Sequence, residues 1–124
     1  MTSISYLTLE EALEIAELVG AGPVRDLGLL DSALARPQAS AFGEDAYATI
    51  ELKAAALLHS LVKNYSLFDG NKRTAWVCTD TFMRMNGYMS SVTVQGGFDL
   101  VLDVAAGDVA LDEIATRLRV VELS

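Results

Sequence analysis

The stretch from Thr49 to Asn64 carries apolar residues almost all the way round a helical projection, with Ala54, Ala55, Ala56, Leu57, Leu58, Leu61 and Val62 in close succession. A surface helix shows one apolar stripe, so a helix with almost no polar face belongs in the interior. A chain of 124 residues has room for one real core, and that core must form around this segment. The expected class is all-α: a compact bundle of about six helices around a central buried helix at about 49–64, in a single domain spanning 1–124.

The flanking segments fit such a bundle. Thr8 before Leu9, Glu10 and Glu11 reads as a helix start, a hydroxyl cap with acidic residues at the positive helix end. Leu9, Leu13, Ala16 and Gly20 are expected to line its inner stripe, with Glu10, Glu14 and Glu17 in water. Gly20, Gly22 and Pro23 stop it. A short helix is expected from Leu27 to Arg36, capped near Asp31 and closed by Pro37, followed by a loop or small flap from Ala39 to Tyr47. A second strong helix runs from about Lys72 to Asn86, with Trp76, Val77, Phe82, Met83 and Met85 inside, and Asn86-Gly87 ends it. Two more helices are expected at about Val94–Ala106 and Leu111–Val120, with a short extended piece around Tyr88 to Val94.

Charge limits the function classes. Nine Lys/Arg against seventeen Asp/Glu give a net charge of −8, which works against nucleic-acid binding through phosphate neutralisation. No direct nucleic-acid partner is expected, and any phosphate chemistry must rest on a local basic cluster. Cys78 is the only cysteine, so no disulfide forms within the chain and a reducing cytoplasm is the expected location. Neither a signal peptide nor a membrane span is apparent.

The local cluster exists. Phe68-Asp69-Gly70-Asn71-Lys72-Arg73-Thr74-Ala75 lies between the two most apolar helices. A loop opening into a helix amino terminus leaves unpaired N–H groups at the positive end of the helix dipole, a natural anion site. Gly70 lets backbone approach a ligand, Lys72 and Arg73 add positive charge, and Asp69 suits a divalent metal bridging phosphates. The string is not a Walker A loop, which needs different glycine spacing and a Gly-Lys-Ser/Thr ending. On residue chemistry alone, a phosphate cradle and an ordinary helix start capped by Asp69 or Asn71 both remain open.

The stretch resembles the Fic/Doc family signature, His-x-Phe-x-Asp/Glu-Ala/Gly-Asn-Gly/Lys-Arg, which Asp69, Gly70, Asn71, Lys72 and Arg73 match in order. The segments Leu29–Gln38 and Lys53–Ser60 are similar to the Doc branch of that family, as are length and helix order. Lys72 in place of glycine resembles the Doc branch rather than the AMP-transferring Fic branch. The resemblance implies the Fic/Doc fold, ATP with its phosphates over the loop, and transfer of the terminal phosphate to a protein hydroxyl, a threonine of elongation factor Tu, as a toxin that stops translation. It implies a Phd-like antitoxin as partner and Mg2+ held with the help of Asp69. Gly70 and the neighbouring backbone would form the anion nest and Asn71 would fix its shape. Lys72 and Arg73 would stabilise phosphate charge as it shifts.

Two positions depart from the signature. Leu67 stands where phenylalanine is usual, and Tyr65 stands at the histidine that would take the proton from the attacking hydroxyl. A tyrosine titrates near ~10, so only about one part in a thousand is ionised at neutral pH, and loss of a general base costs roughly 10²–10⁴ in rate. Three readings remain: a disarmed copy, since one base change turns a histidine codon into a tyrosine codon; a family member that keeps binding without catalysis; or Tyr65 itself as the base, its pKa lowered by Lys72 or Arg73. His59, the only histidine, lies in an apolar run and is expected to be a hydrogen-bonded interior residue. Cys78, Trp76 and Phe82 are expected in the core, and nothing in the sequence brings Arg25 or Arg36 to a ligand.

Overall fold

The computed structural model describes residues 3–124, so the first two residues of the 1–124 span expected for the domain lie outside it. Six α-helices account for most of the chain: α1 Leu9–Leu18, α2 Leu27–Ala35, α3 Ile50–Lys63, α4 Asn71–Met85, α5 Val94–Ala106 and α6 Leu111–Leu118. Two small antiparallel ribbons complete it: β1 Ser40–Ala41 with β2 Glu44–Asp45, and β3 Tyr88–Ser90 with β4 Val120–Glu122. The mostly-α class holds.

Caps set most of the boundaries. Thr8 and Glu11 form a reciprocal capping box at α1, and the hydroxyls of Thr49 and Thr93 accept from Leu52 N and Gly96 N to start α3 and α5. Each such cap stabilises its helix by roughly 1 kcal/mol. The central helix α3 behaves as its composition requires: Ala54, Ala55, Ala56, Leu57, Leu58, Leu61 and Val62 are all buried. It packs against α2, α4, α5 and α6. Phe82 of α4 is fully buried and stacks on Tyr6 with ring centroids 5.9 Å apart.

Several local expectations are corrected. On α1 the deeply buried face is Ala12, Ile15 and Ala16, while Leu9 and Leu13 are half-buried at its edge and Gly20 lies beyond the helix. Asp26, not Asp31, caps α2 by accepting from Leu29 N at 2.9 Å. An Asp immediately before the first helical residue competes as a cap with one inside the helix, and only the first has unpaired N–H groups ahead of it. Trp76 and Val77 are half-buried and Met85 is exposed, because α4 has a solvent face. The last helix ends at Leu118, Arg119 turns left-handed at φ 51°, and the chain continues into β4. The partner strand β3 pairs with it, so the extended piece near Tyr88 is half of a ribbon.

The segment expected as a loop or flap is a tight hairpin. Ser40 faces Asp45 and Ala41 faces Glu44, leaving Phe42-Gly43 as a two-residue turn with φ of 55° and 80°, the backbone a type I′ turn demands. The hairpin is tied inward by Lys53, a lysine of α3 with only 2% exposure. Its ammonium donates to Asp45 Oδ2 at 3.1 Å and lies 5.9 Å from the centre of the Tyr6 ring. Removing one partner of a buried pair leaves the other charge stranded. Asp45→Ala is therefore expected to cost about 1–2 kcal/mol, reduced from a fully buried pair because Asp45 stays in contact with water. Urea unfolding would measure it, and a midpoint unchanged from the parent would refute the anchoring role.

Candidate functional site

The loop between α3 and α4 is built in two layers. Asn64 caps the end of α3, and the next residue, Tyr65, takes a left-handed conformation at φ 52°. Left-handed backbone just after a helix cap is a common way to end a helix, though glycine usually occupies it. Ser66 and Leu67 then turn inward and are buried. Asn71 closes the loop on itself: its Oδ1 accepts from Leu67 N at 3.0 Å and its Nδ2 donates to Leu67 O at 2.8 Å. This pair of bonds is the physical content of the shape-fixing role expected of Asn71.

Gly70 is the residue before α4, left-handed at φ 86°, and it supplies no side-chain cap. A Cβ built there would lie 2.8 Å from the Ala21 Cα. No other residue fits without moving backbone. The first turn of α4 carries no acidic residue, so the helix dipole's positive end is uncompensated by its own side chains.

Behind the loop runs the 19–26 segment that joins α1 to α2. Gly22 N donates to Asp69 O at 2.8 Å, Phe68 N to Pro23 O at 3.0 Å, and Arg25 N and Asp26 N both to Ser66 O, at 2.7 and 3.0 Å. The Arg25 side chain adds a bond from Nε to Tyr65 O at 2.7 Å. In front of the loop lies a cleft of about 210 Å³ lined by Val62, Lys63, Tyr65, Phe68, Asp69, Gly70, Asn71, Lys72 and Ala105. Two lysines and one aspartate line it, a locally positive balance in a chain of net charge −8.

The structure thus brings together Tyr65, Asp69, Gly70, Asn71 and Lys72, and leaves Arg73 outside the lining. The Arg73 guanidinium turns to the end of α1, where Nε and Nη2 donate to Val19 O and Gly20 O, both at 3.3 Å, and it lies 4.0 Å from the exposed Asp69 carboxylate. Since α1 has no basic residue in its last turn, Arg73 caps its carbonyls from another helix. Sequence reasoning missed Lys63, at the last turn of α3, together with Val62 and Ala105, and gave no role to Phe68 at the start of the stretch. Lys63 is only two residues from Tyr65 along the chain, but Ala105 comes from α5 and has no local signal. Among the described residues no group of three or more His, Cys, Asp or Glu is gathered as a metal site.

His59 lies outside the cleft. Its Nδ1 accepts from Arg36 Nη1 at 2.8 Å, and Arg36 Nε donates to the Tyr47 hydroxyl at 3.0 Å. Burial, then the charges of Arg36 and Lys63, hold its pKa below the usual 6.5, opposed by Asp108. A lowered folded pKa means stability is complete above pH ~6.5 and declines as pH falls toward the folded value, because the unfolded chain takes up the proton first. His59→Gln is expected to flatten the fall in melting temperature between about pH 7.5 and 5.5; an identical slope in both proteins would refute this. Cys78 is inert in the core, its thiol pushed up to about 12 by burial.

Comparison with known proteins agrees with this architecture. The profile of the Fic/DOC family matches residues 6–83, a span that contains the whole loop, and the chain belongs to the Fic/Doc family. It is 47% identical over 117 residues to Toxin Doc of Mycolicibacterium smegmatis, covering 91% of this chain and 90% of that protein. No helix among the described residues is long and apolar enough to cross a membrane.

Proposed function

We propose that this chain is a Doc-type toxin of a toxin–antitoxin module, a cytoplasmic phosphotransferase that moves the terminal phosphate of ATP to a protein hydroxyl, with a threonine of elongation factor Tu as acceptor. The observation that carries the reading is the cleft itself, where Gly70, Asn71 and Lys72 sit at the uncapped start of α4 beside residue 65. Backbone N–H groups and Lys72 meet the phosphates there. The cleft is smaller than the roughly 300–1,000 Å³ of a typical small-molecule pocket, so it suits the phosphate end of the nucleotide, with the base and ribose over open surface.

Asp69 is the one carboxylate in the lining, which fits Mg2+, an ion commonly held by one or two carboxylates together with substrate phosphates. When bound, it would neutralise phosphate charge. The protein's own residues do the rest. A base at position 65, such as the imidazole of Tyr65→His, takes the proton of the acceptor hydroxyl as its oxygen attacks the terminal phosphorus, and ADP leaves. Arg73, turned toward α1, supports the loop from behind.

Tyr65 favours a second reading, in which this form binds nucleotide and a Phd-like antitoxin with little turnover. The test incubates the chain and its Tyr65→His variant with elongation factor Tu, magnesium, and ATP labelled at the terminal or the innermost phosphate. Terminal label on the factor supports the kinase; innermost label would mean AMP transfer. No label from either folded protein would remove the enzyme reading and leave the binding module, tested by antitoxin affinity.

A further inference from the structure

Resting on the proposed role of residue 65, we infer that Arg25 is a positioning residue that sets the backbone at that position. Tyr65 is the one loop residue here that is both left-handed without being glycine and in the cleft lining. A bulky side chain gains nothing from that conformation, so something must hold it. The backbone bonds from the 19–26 segment reach Ser66, Phe68 and Asp69 but not Tyr65. The Tyr65 carbonyl is held instead by a side chain, Arg25 Nε at 2.7 Å, from 40 residues away in sequence.

The same residue's main-chain N–H binds Ser66 O at 2.7 Å. Arg25 therefore grips two successive carbonyls, one with its backbone and one with its guanidinium. Together they fix the peptide planes on the carboxyl side of residue 65 and so the direction in which its side chain leaves the helix end. Arg25 is exposed and absent from the cleft lining, so its action on chemistry runs through residue 65. A lysine can still donate a charged N–H to the carbonyl, whereas a methionine keeps a similar length and has no donor.

The experiment compares Arg25→Met and Arg25→Lys, each in the chain with Tyr65 and in Tyr65→His. In Tyr65→His, Arg25→Met is expected to lower kcat for phosphate transfer roughly 10–10²-fold, the scale of a small misplacement, with the nucleotide KM unchanged and Arg25→Lys restoring most of the loss. In the chain with Tyr65, the carbonyl-carbon NMR shift of residue 65 is expected to move in Arg25→Met and to return in Arg25→Lys. A raised KM with kcat intact would make Arg25 a phosphate ligand and overturn the assignment. So would an unmoved carbonyl shift, or an equal loss of melting temperature in both variants. If Tyr65→His transfers no phosphate, the proposed reaction fails, and the carbonyl shift alone still decides the role of Arg25.

Discussion

Replacing Tyr65 by histidine is expected to raise phosphate transfer by about 10²–10⁴-fold, the usual contribution of a positioned general base, while leaving stability within about 0.5 kcal/mol. The geometry makes the exchange conservative for the fold. Tyr65 is 61% exposed, so no packed ring is lost from the core. Its φ of 52° lies in the left-handed region, where histidine is several-fold better represented than most residues and a bulky phenol is not. An imidazole titrates near the working pH, so a large fraction is ready to accept a proton. Single-turnover transfer from terminally labelled ATP would read the rate, and a thermal melt would read stability. A folded Tyr65→His protein no faster than the parent would refute the assignment of this position as the base.

Gly70→Ala is expected to be the most damaging single-methyl change at the site. The left-handed backbone costs a non-glycine residue about 1–2 kcal/mol, and the added carbon meets main chain at Ala21, which cannot swing away as a side chain would. A total of about 2–4 kcal/mol follows, or a fall in melting temperature of about 10 °C. Relief of the clash must push the loop off the 19–26 segment, so nucleotide affinity should fall further than stability alone implies. Gly107→Ala is the control: its backbone is extended and open space surrounds the new methyl, so a melt within about 1 °C of the parent is expected. Equal melting of Gly70→Ala and the parent would show that the loop tolerates displacement.

The helices were legible because their signals are local. The unbroken apolar character of α3, the Thr8 box and the Asn86-Gly87 stop each act within a few residues. The make-up of the loop was legible for the same reason, since Gly70, Asn71 and Lys72 lie together in sequence and line one cleft. Contacts that cross the chain were not. The bonds from 19–26 to the loop use main-chain groups, which every residue has, so no side-chain pattern announces them. The burial of Lys53 depends on Asp45 and Tyr6 arriving from two other segments, so nothing beside it in sequence announces it. Arg73 was expected at the phosphates as part of the basic cluster and of the family signature, but successive residues of a helix point about 100° apart, and its guanidinium meets the end of α1. The pairing of β3 with β4 joins segments too far apart for either to reveal the other.

The central helix α3 also acts as a ruler. Lys53 near its start fixes the hairpin, His59 midway meets Arg36, and its end delivers residue 65 to the cleft. Each residue adds 1.5 Å of rise and about 100° of rotation, so one insertion between Lys53 and Lys63 would swing the cleft a quarter-turn or more relative to the hairpin. Lineages descended from this chain should therefore vary freely in length at the Phe42-Gly43 tip, while the count of residues from Lys53 to Tyr65 stays frozen.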